Sequence, residues 1–544
     1  MKKQFWKVSA LALAAVSAFG TVACGGGGGG GSKNDGLEIT IYAGGSSEYK
    51  WEKGTVEAEV YEAIEDAYYD DMGTKLDFRV EFPGQNMKNS IQTQVTEGNI
   101  DVVISHVGGG DGLDDWFLGQ PTILYRDLST DFVVYQNLGK YMEWSDGQGL
   151  DLNAMTRVTM EDGQVLGIPS VISPYKFGML VRKDWMEACG YTDDPADTDK
   201  ILVDNYVAFE NMAMAMVEKY KLNYAVSGAI FEVEKTGVLG AYGLQAGYYS
   251  QVTLQDKNGN DITDYAGYID ENYAPILELE SRWIKNKVLA TSPDAILVKQ
   301  CEEEFIAGST GIFIQGGTID HLIEVARSCK AVNAEAEFTV LSGLTKDENS
   351  TAKGSMRNPL GTFMASITAN TPDYKEILTF LNWVYKNEDN YNLCRYGVEG
   401  VHWIDNGDGT YSYPEGKGFS YEKKPYSGIL TLVENQAISN MQYADFTADE
   451  KKWIQTISNP DNYIKGNDAI DYLLYISDKD LIDTHFRERK GMYNYTQEVW
   501  NAKKLFTVAT HAAEHKAVVD SYLTTANAYS REVNKLYKKL KGIS

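Results

Sequence analysis

The sequence predicts an α/β fold in two lobes, and two observations carry that prediction. Residues 37–105 read as strand, helix, strand, helix, strand, the alternation that builds a parallel α/β sheet. Further on, the strand-like stretches Gly163–Pro169 and Phe177–Arg182 bracket the short segment Ser170–Lys176. That segment reads as a crossing into a second lobe, and Leu360–Thr368 reads as the crossing back.

Each element has a local reason. Leu37–Ala43 alternates apolar and polar residues and runs into Gly44-Gly45-Ser46-Ser47, a strand followed by a loop. Thr55–Tyr69 has helical spacing, with Val56, Val60, Ile64 and Ala67 on one face. Lys75–Phe82 reads as the second strand, Met87–Thr96 as a helix, and Asp101–Ser105 as a short apolar strand. In such a sheet ligands meet the loops at the carboxyl ends of strands, here Gly44–Trp51 and His106–Trp116. The second lobe takes the helix Val203–Tyr220, a Gly/Tyr-rich stretch at 237–250 and a helix near Pro275–Ile284. The strand Thr310–Gln315 and the helix Ile319–Arg327 complete it. After the return, Pro372–Asn387 is a helix with Ile377, Phe380, Leu381 and Val384 on its apolar face. From about residue 440 the pattern is largely helical. No internal repeat is visible.

The first 36 residues bear on location. Lys2, Lys3 and Lys7 precede the apolar run Val8–Gly20, and Thr21-Val22-Ala23-Cys24 follows it. A basic start, a short apolar run and small residues read as a secretory signal spanning 1–23. The run is too short to cross a bilayer, which takes roughly 20 residues. Cys24 stands where a bacterial lipoprotein carries its lipidated cysteine, although Thr21 replaces the usual Leu. Residues 24–36, Gly-rich and polar, serve as a flexible tether. The expected location is the extracellular face of the cell membrane, held by lipid alone.

Composition narrows the partners. The formal net charge is −27, with 77 acidic against 50 basic residues, and three of the bases lie in the signal. A surface this acidic repels phosphate backbones, so no nucleic-acid partner is expected. Beyond Cys24 there are Cys189, Cys301, Cys329 and Cys394; their even number permits two disulfides, but a domain of this size does not need them. No CxxC spacing and no GxxxxGK[ST] phosphate loop occurs.

The lipoprotein start, GQVLGIP at 163–169, MLVRKDWMEACGY at 179–191 and FLNWVYKNEDNYNLCRYGVEGVHW at 380–403 together carry a resemblance. The sequence resembles the extracellular solute-binding proteins of carbohydrate ABC transporters (family 1), in the large lipoprotein branch common in Firmicutes. The likeness covers essentially all of residues 1–405. It implies a periplasmic-binding-protein-like fold of type II, with an interlobe ligand cleft and a helical C-terminal part. Lobe 1 is then residues 37–170 plus 361–400, and lobe 2 is 171–360 plus 401–544. It also implies an oligosaccharide ligand, a membrane permease that performs the transport, no catalysis, no required cofactor and a monomer.

Neutral sugars stack their apolar faces on aromatic rings while planar polar side chains bond their hydroxyls. Candidates on the strand-end loops and crossings are Trp51, His106, Trp116, Tyr175, Gln315 and Arg357, joined by Glu399, His402 and Trp403 in the loop that ends the resemblance. Trp185, at the start of a helix, reads as core. Asp256, Asn258, Asn260, Ile262 and Asp264 alternate as in a calcium loop, which makes a structural Ca2+ the one metal considered. Asp261 and Gly267 stand where that loop needs Gly and Glu, and a hairpin turn at Asn258-Gly259 is the favoured reading. His511-Ala-Ala-Glu514-His515 matches the inverted zincin pattern H-x-x-E-H, but no third ligand follows at the required distance. A peptide or a modified or anionic sugar in the same fold is the alternative ligand; a surface hydrolase is the least favoured reading.

Overall fold

The computed structural model describes residues 36–43, 55–81, 93–107, 124–140, 163–169, 178–228, 237–242, 270–290, 298–314, 319–351, 362–418, 424–426, 428 and 441–463, with isolated positions beyond. In chain order the strands are β1 (Gly36–Ala43), β2 (Lys75–Glu81), β3 (Val102–Val107), β4 (Ile168–Pro169), β5 (Met179–Arg182), β6 (Tyr191–Thr192), β7 (Ile201–Leu202), β8 (Val226–Ser227), β9 (Ile312–Phe313), β10 (Phe338–Leu341), β11 (Thr362–Ile367), β12 (Ile404–Asp405), β13 (Thr410–Ser412) and β14 (Gln442–Tyr443). The helices longer than one turn are α1 (Val56–Met72), α2 (Lys183–Ala188), α3 (Tyr206–Tyr220), α4 (Asp270–Lys285), α5 (Val298–Ile306), α6 (Ile319–Val332), α7 (Tyr374–Val384), α8 (Glu388–Tyr396) and α9 (Ala448–Ser458).

The first sheet has the order β2-β1-β3-β11-β4. Alternation decides which face of β2 is buried: Leu76, Phe78 and Val80 point inward between exposed neighbours. The central strand β3 buries Val102, Val103 and Ile104 in succession, because both of its faces are covered. Helix α1 starts where the Thr55 hydroxyl accepts from the Ala58 N–H and stops at Gly73, whose φ of 71° suits glycine. Its buried stripe is Val60, Tyr61, Ile64 and Tyr68, so the helix extends past the expected end at Tyr69. One expectation is corrected. The sheet is mixed, since β11 pairs antiparallel to β3 while β1 and β3 are parallel. The chain re-enters this lobe from the side where β3 ends, so the returning strand runs against it.

The second sheet has the order β10-β5-β9-β8, with β5 antiparallel to both neighbours. The period of two sorts its residues into two cores. Met179, Val181, Ile312 and Ile314 face α3 and α4, whereas Leu180, Phe313, Phe338 and Val340 face α5, α6 and α9. On the first face Glu210, nearly buried, accepts from Arg282 Nε and Nη2, the Trp283 indole N–H and Asn286 Nδ2 at 2.8–3.2 Å. This satisfied charge ties α3 to α4. On the second face, α9 begins with a reciprocal Thr447–Glu450 capping box. Glu450 also takes two bonds of 2.7 Å from Arg327 on α6.

The first core draws on β1–β4, β11, α1, α7 and α8, and also on Tyr426, which meets Tyr61 edge-on at 6.5 Å. Tyr426 lies beyond the boundary of residue 400 expected for lobe 1. The chain therefore passes back along the first lobe before α9 joins the second. The four cysteines described are free thiols. Among the described residues no helix is long and apolar enough to cross a membrane.

Candidate ligand-binding site

Register alone brings most strand ends to two edges. In the first sheet β1 and β3 run parallel and end at Ala43 and Val107. Strand β11 starts opposite Val107, at Thr362, and β4 ends opposite Met364, at Pro169. The segments that follow β1, β3 and β4, and the one that precedes β11, therefore all meet one edge. In the second sheet β5 starts beside the end of β10, with Met179 opposite Leu341. The ends of β8 and β9 lie at the same side, with Ser227 opposite Phe313 and Phe313 opposite Leu180. Only residues 170–177 separate Pro169 on one edge from Gly178 on the other. At ~3.6 Å per residue the two edges lie within about 30 Å of each other.

A third connection runs from α8 to α9 and carries the small sheet β12-β13-β14. Its position follows from its contacts. The strands β1 and β2 run side by side in the same sense, since Tyr42 bonds Glu81 and Arg79 pairs with Glu38 at 2.9 Å. Helix α1 therefore has its first turn at the edge where these strands end. Helix α8 packs along α1 in the opposite direction: Asn390, near its start, bonds Asp71, while His402, just past its end, feels the charge of Glu59. The loop after α8 thus stands at the edge of the first lobe where β1 and β3 end.

That loop is held by its own residues. Gly397 adopts φ 86° and ψ −159°, which only glycine takes without strain, and a Cβ there would lie 2.9 Å from His402 Nδ1. His402 Nδ1 accepts from the Val398 N–H at 3.0 Å, and the Trp403 indole N–H donates to the Gly397 carbonyl at 2.9 Å. Both rings are 4% exposed. Burial lowers the His402 pKa, against the opposing pull of Glu59, so the ring is neutral and free to accept. His402 and Trp403 thus pack into the loop, with Nδ1 of the one and the indole N–H of the other engaged inside it. Glu399 is exposed beside them and bridges to Trp403 through the backbone.

The other candidates divide by location. His106 lies on β3, paired with Phe363 of β11. Trp51, Trp116, Tyr175, Gln315 and Arg357 lie outside the described residues, as do Asp256–Asp264 and His511–His515. Among the described residues no group of three or more His, Cys, Asp or Glu could hold a metal ion. Trp185 packs as expected, stacked on Tyr220 with centroids 4.1 Å apart. Sequence spacing did not single out Tyr396, Tyr411 and Tyr413, whose rings cluster here: Tyr411 lies on β13, directly after the turn Asn406-Gly-Asp-Gly409, and Tyr413 just past its end.

No protein-family model matches the chain. A curated relative is the polygalacturonan/rhamnogalacturonan-binding protein YtcQ of Bacillus subtilis, 22% identical over 324 residues. That match takes in 57% of this chain and 61% of the relative, so the chain spans about three fifths of the relative's length. Among solved structures, an HMO-binding ABC-transporter-associated solute-binding protein of Bifidobacterium longum infantis superposes with a TM-score of 0.62 at 12% identity, covering 93% of this chain and 99% of its own. The N-glycan transport solute-binding protein NgtS of Streptococcus pneumoniae has the same TM-score at 14% identity, covering 92% and 98%. The alginate-binding protein AlgQ2, without calcium ion, follows at 0.60 and 13% identity, covering 93% and 99%. The chain has the two-lobed α/β fold of the solute-binding proteins of ABC transporters.

Proposed function

We propose that this chain is an extracellular receptor, anchored through a lipid on Cys24, that captures an oligosaccharide between its lobes and delivers it unaltered to an ABC permease. The observation that carries the reading is the convergence of strand ends from two sheets on two edges joined by only residues 170–177. A ligand held there touches both lobes, and only a ligand with different affinity for the open and closed arrangements can drive closure. The relatives support the ligand class: their names refer to polygalacturonan and rhamnogalacturonan, N-glycans and alginate. In this reading the protein acts as a monomer, contributes no catalysis and needs no cofactor. An acidic oligosaccharide is the second ligand class, favoured by the polygalacturonan named for the Bacillus relative.

The test is calorimetric titration with oligogalacturonides, alginate oligomers and neutral manno-oligosaccharides, followed by chromatography of each glycan after prolonged incubation. Saturable binding with the glycan recovered intact is expected. Shortened products would replace the receptor by a hydrolase.

A further inference from the structure

The stretch after β10 brings a cation to the edge of the second sheet where β8, β9 and β10 end. Strand β10 finishes at Leu341, opposite Met179. Leu341 and Leu344 are both buried in the core that faces α3 and α4, which keeps this stretch against the lobe. Thr345 is then tied to the start of α3. Its carbonyl accepts from the Tyr206 N–H at 2.9 Å, and its own N–H donates to the Asp204 carbonyl at 3.0 Å.

The far end of α3 fixes the level. Tyr220 closes that helix and stacks on Trp185 with centroids 4.1 Å apart. Trp185 belongs to α2, which follows the end of β5 at the edge where β10 starts. The 15 residues of α3 span about 22 Å, so its first turn lies away from that edge. Lys346, next to Thr345, therefore stands at the level of the strand ends of β8, β9 and β10.

Its ammonium is placed over an aromatic ring. Lys346 Nζ lies 5.1 Å from the ring centroid of Tyr242, and Tyr242 packs against the same core as Leu344. A ring face attracts a cation but has no net charge, so this contact orients the ammonium without neutralising it. The acid next in sequence is turned to its own loop: Asp347 Oδ1 accepts from the Asn349 N–H at 3.0 Å and the Ser350 hydroxyl at 2.8 Å. Lys346 is exposed, and among the described residues no carboxylate lies within ion-pair distance of it. Lys183, Lys200, Lys386 and Lys452 each find one. Lys346 is thus open to a carboxylate from outside the chain.

We propose that Lys346, held over Tyr242, receives the carboxylate of an acidic sugar unit in the bound oligosaccharide. This deepens the receptor reading, rests on it, and selects the acidic ligand class over the neutral one. An ammonium offers three donors around a compact charge, which a sugar carboxylate can meet. The hydroxyls of a neutral glycan would leave that charge without a counterpart.

The experiment takes whichever of the oligogalacturonides and alginate oligomers binds more tightly, together with its fully methyl-esterified form. Both are titrated by calorimetry into the wild type, Lys346→Gln and Lys346→Arg, with unliganded melting curves for each. The wild type should prefer the free acid by about tenfold or more. Lys346→Gln, an exposed substitution, should melt as the wild type does and lose about three- to tenfold in affinity for the acid. Its affinity for the ester should stay within about twofold. Lys346→Arg keeps the charge and should bind the acid within about threefold of the wild type. Added salt should weaken acid binding more in the wild type than in Lys346→Gln. Equal affinity of wild type and Lys346→Gln for the acid, or a wild type that binds the ester or a neutral manno-oligosaccharide as well as the acid, overturns the proposal while the receptor reading stands. A wild type that binds none of these glycans sinks both.

Discussion

Replacing Trp403 by Phe separates a loop-forming residue from a ligand contact. The indole is 4% exposed and its N–H donates to the Gly397 carbonyl at 2.9 Å. Phe keeps an aromatic ring in the same place but has no donor. Loss of that buried bond costs about 1 kcal/mol. The space vacated by the smaller ring, against Tyr396 at 5.5 Å, adds about 1 kcal/mol more. The variant should therefore be about 2 kcal/mol less stable by urea unfolding followed through tryptophan fluorescence. Glycan affinity by calorimetry should remain within about twofold, because the ring presents no open face. A tenfold loss of affinity with unchanged unfolding would refute this reasoning and make Trp403 a stacking contact.

Three further outcomes follow from other parts of the chain. Burial lifts the Glu65 carboxyl to about 7, aided by Asp77, Glu62 and Asp66 and opposed by the Phe78 N–H it accepts at 3.1 Å. A carboxyl whose folded pKa is raised favours the fold below its unfolded value and loses that contribution as pH rises through about 7. Glu65→Gln, which keeps an acceptor for Phe78, should then raise the melting temperature by about 1–3 °C at pH 8 and leave it unchanged at pH 4. Equal shifts at both pH values would exclude a charge effect. Cys24→Ala should release the protein from membranes or leave it unprocessed, since stable attachment takes two acyl chains on that residue; mass spectrometry that finds another, unmodified N-terminus argues against the anchor. If the Asp256–Asp264 segment holds calcium, chelator should lower the melting temperature of the wild type but not of Asp256→Ala, and identical melts would leave the hairpin turn.

The elements of this protein were legible along the chain because they depend on neighbours a few residues apart. Thr55 and Gly73 bound α1 through bonds within one turn, and the alternation of Leu76, Phe78 and Val80 selects the buried face of β2. Strands β4 and β5 were legible too, within the apolar runs 163–169 and 177–182. Direction in the sheet was not, because β11 shows the same apolar run whichever way it pairs; the side from which the chain returns decides it. The same limit applies to the aromatic residues. Trp403 stands in the most distinctive stretch of sequence, yet Gly397 and Tyr396 cover it, and its prominence reflects a loop that must close on itself. Tyr411 stands in an ordinary short strand, and only the packing of α8, β13 and β14 gathers Tyr396, Tyr411 and Tyr443 into one cluster. Local spacing determines which faces are apolar, while exposure to a ligand depends on distant segments packing together, and that is decided by the tertiary fold.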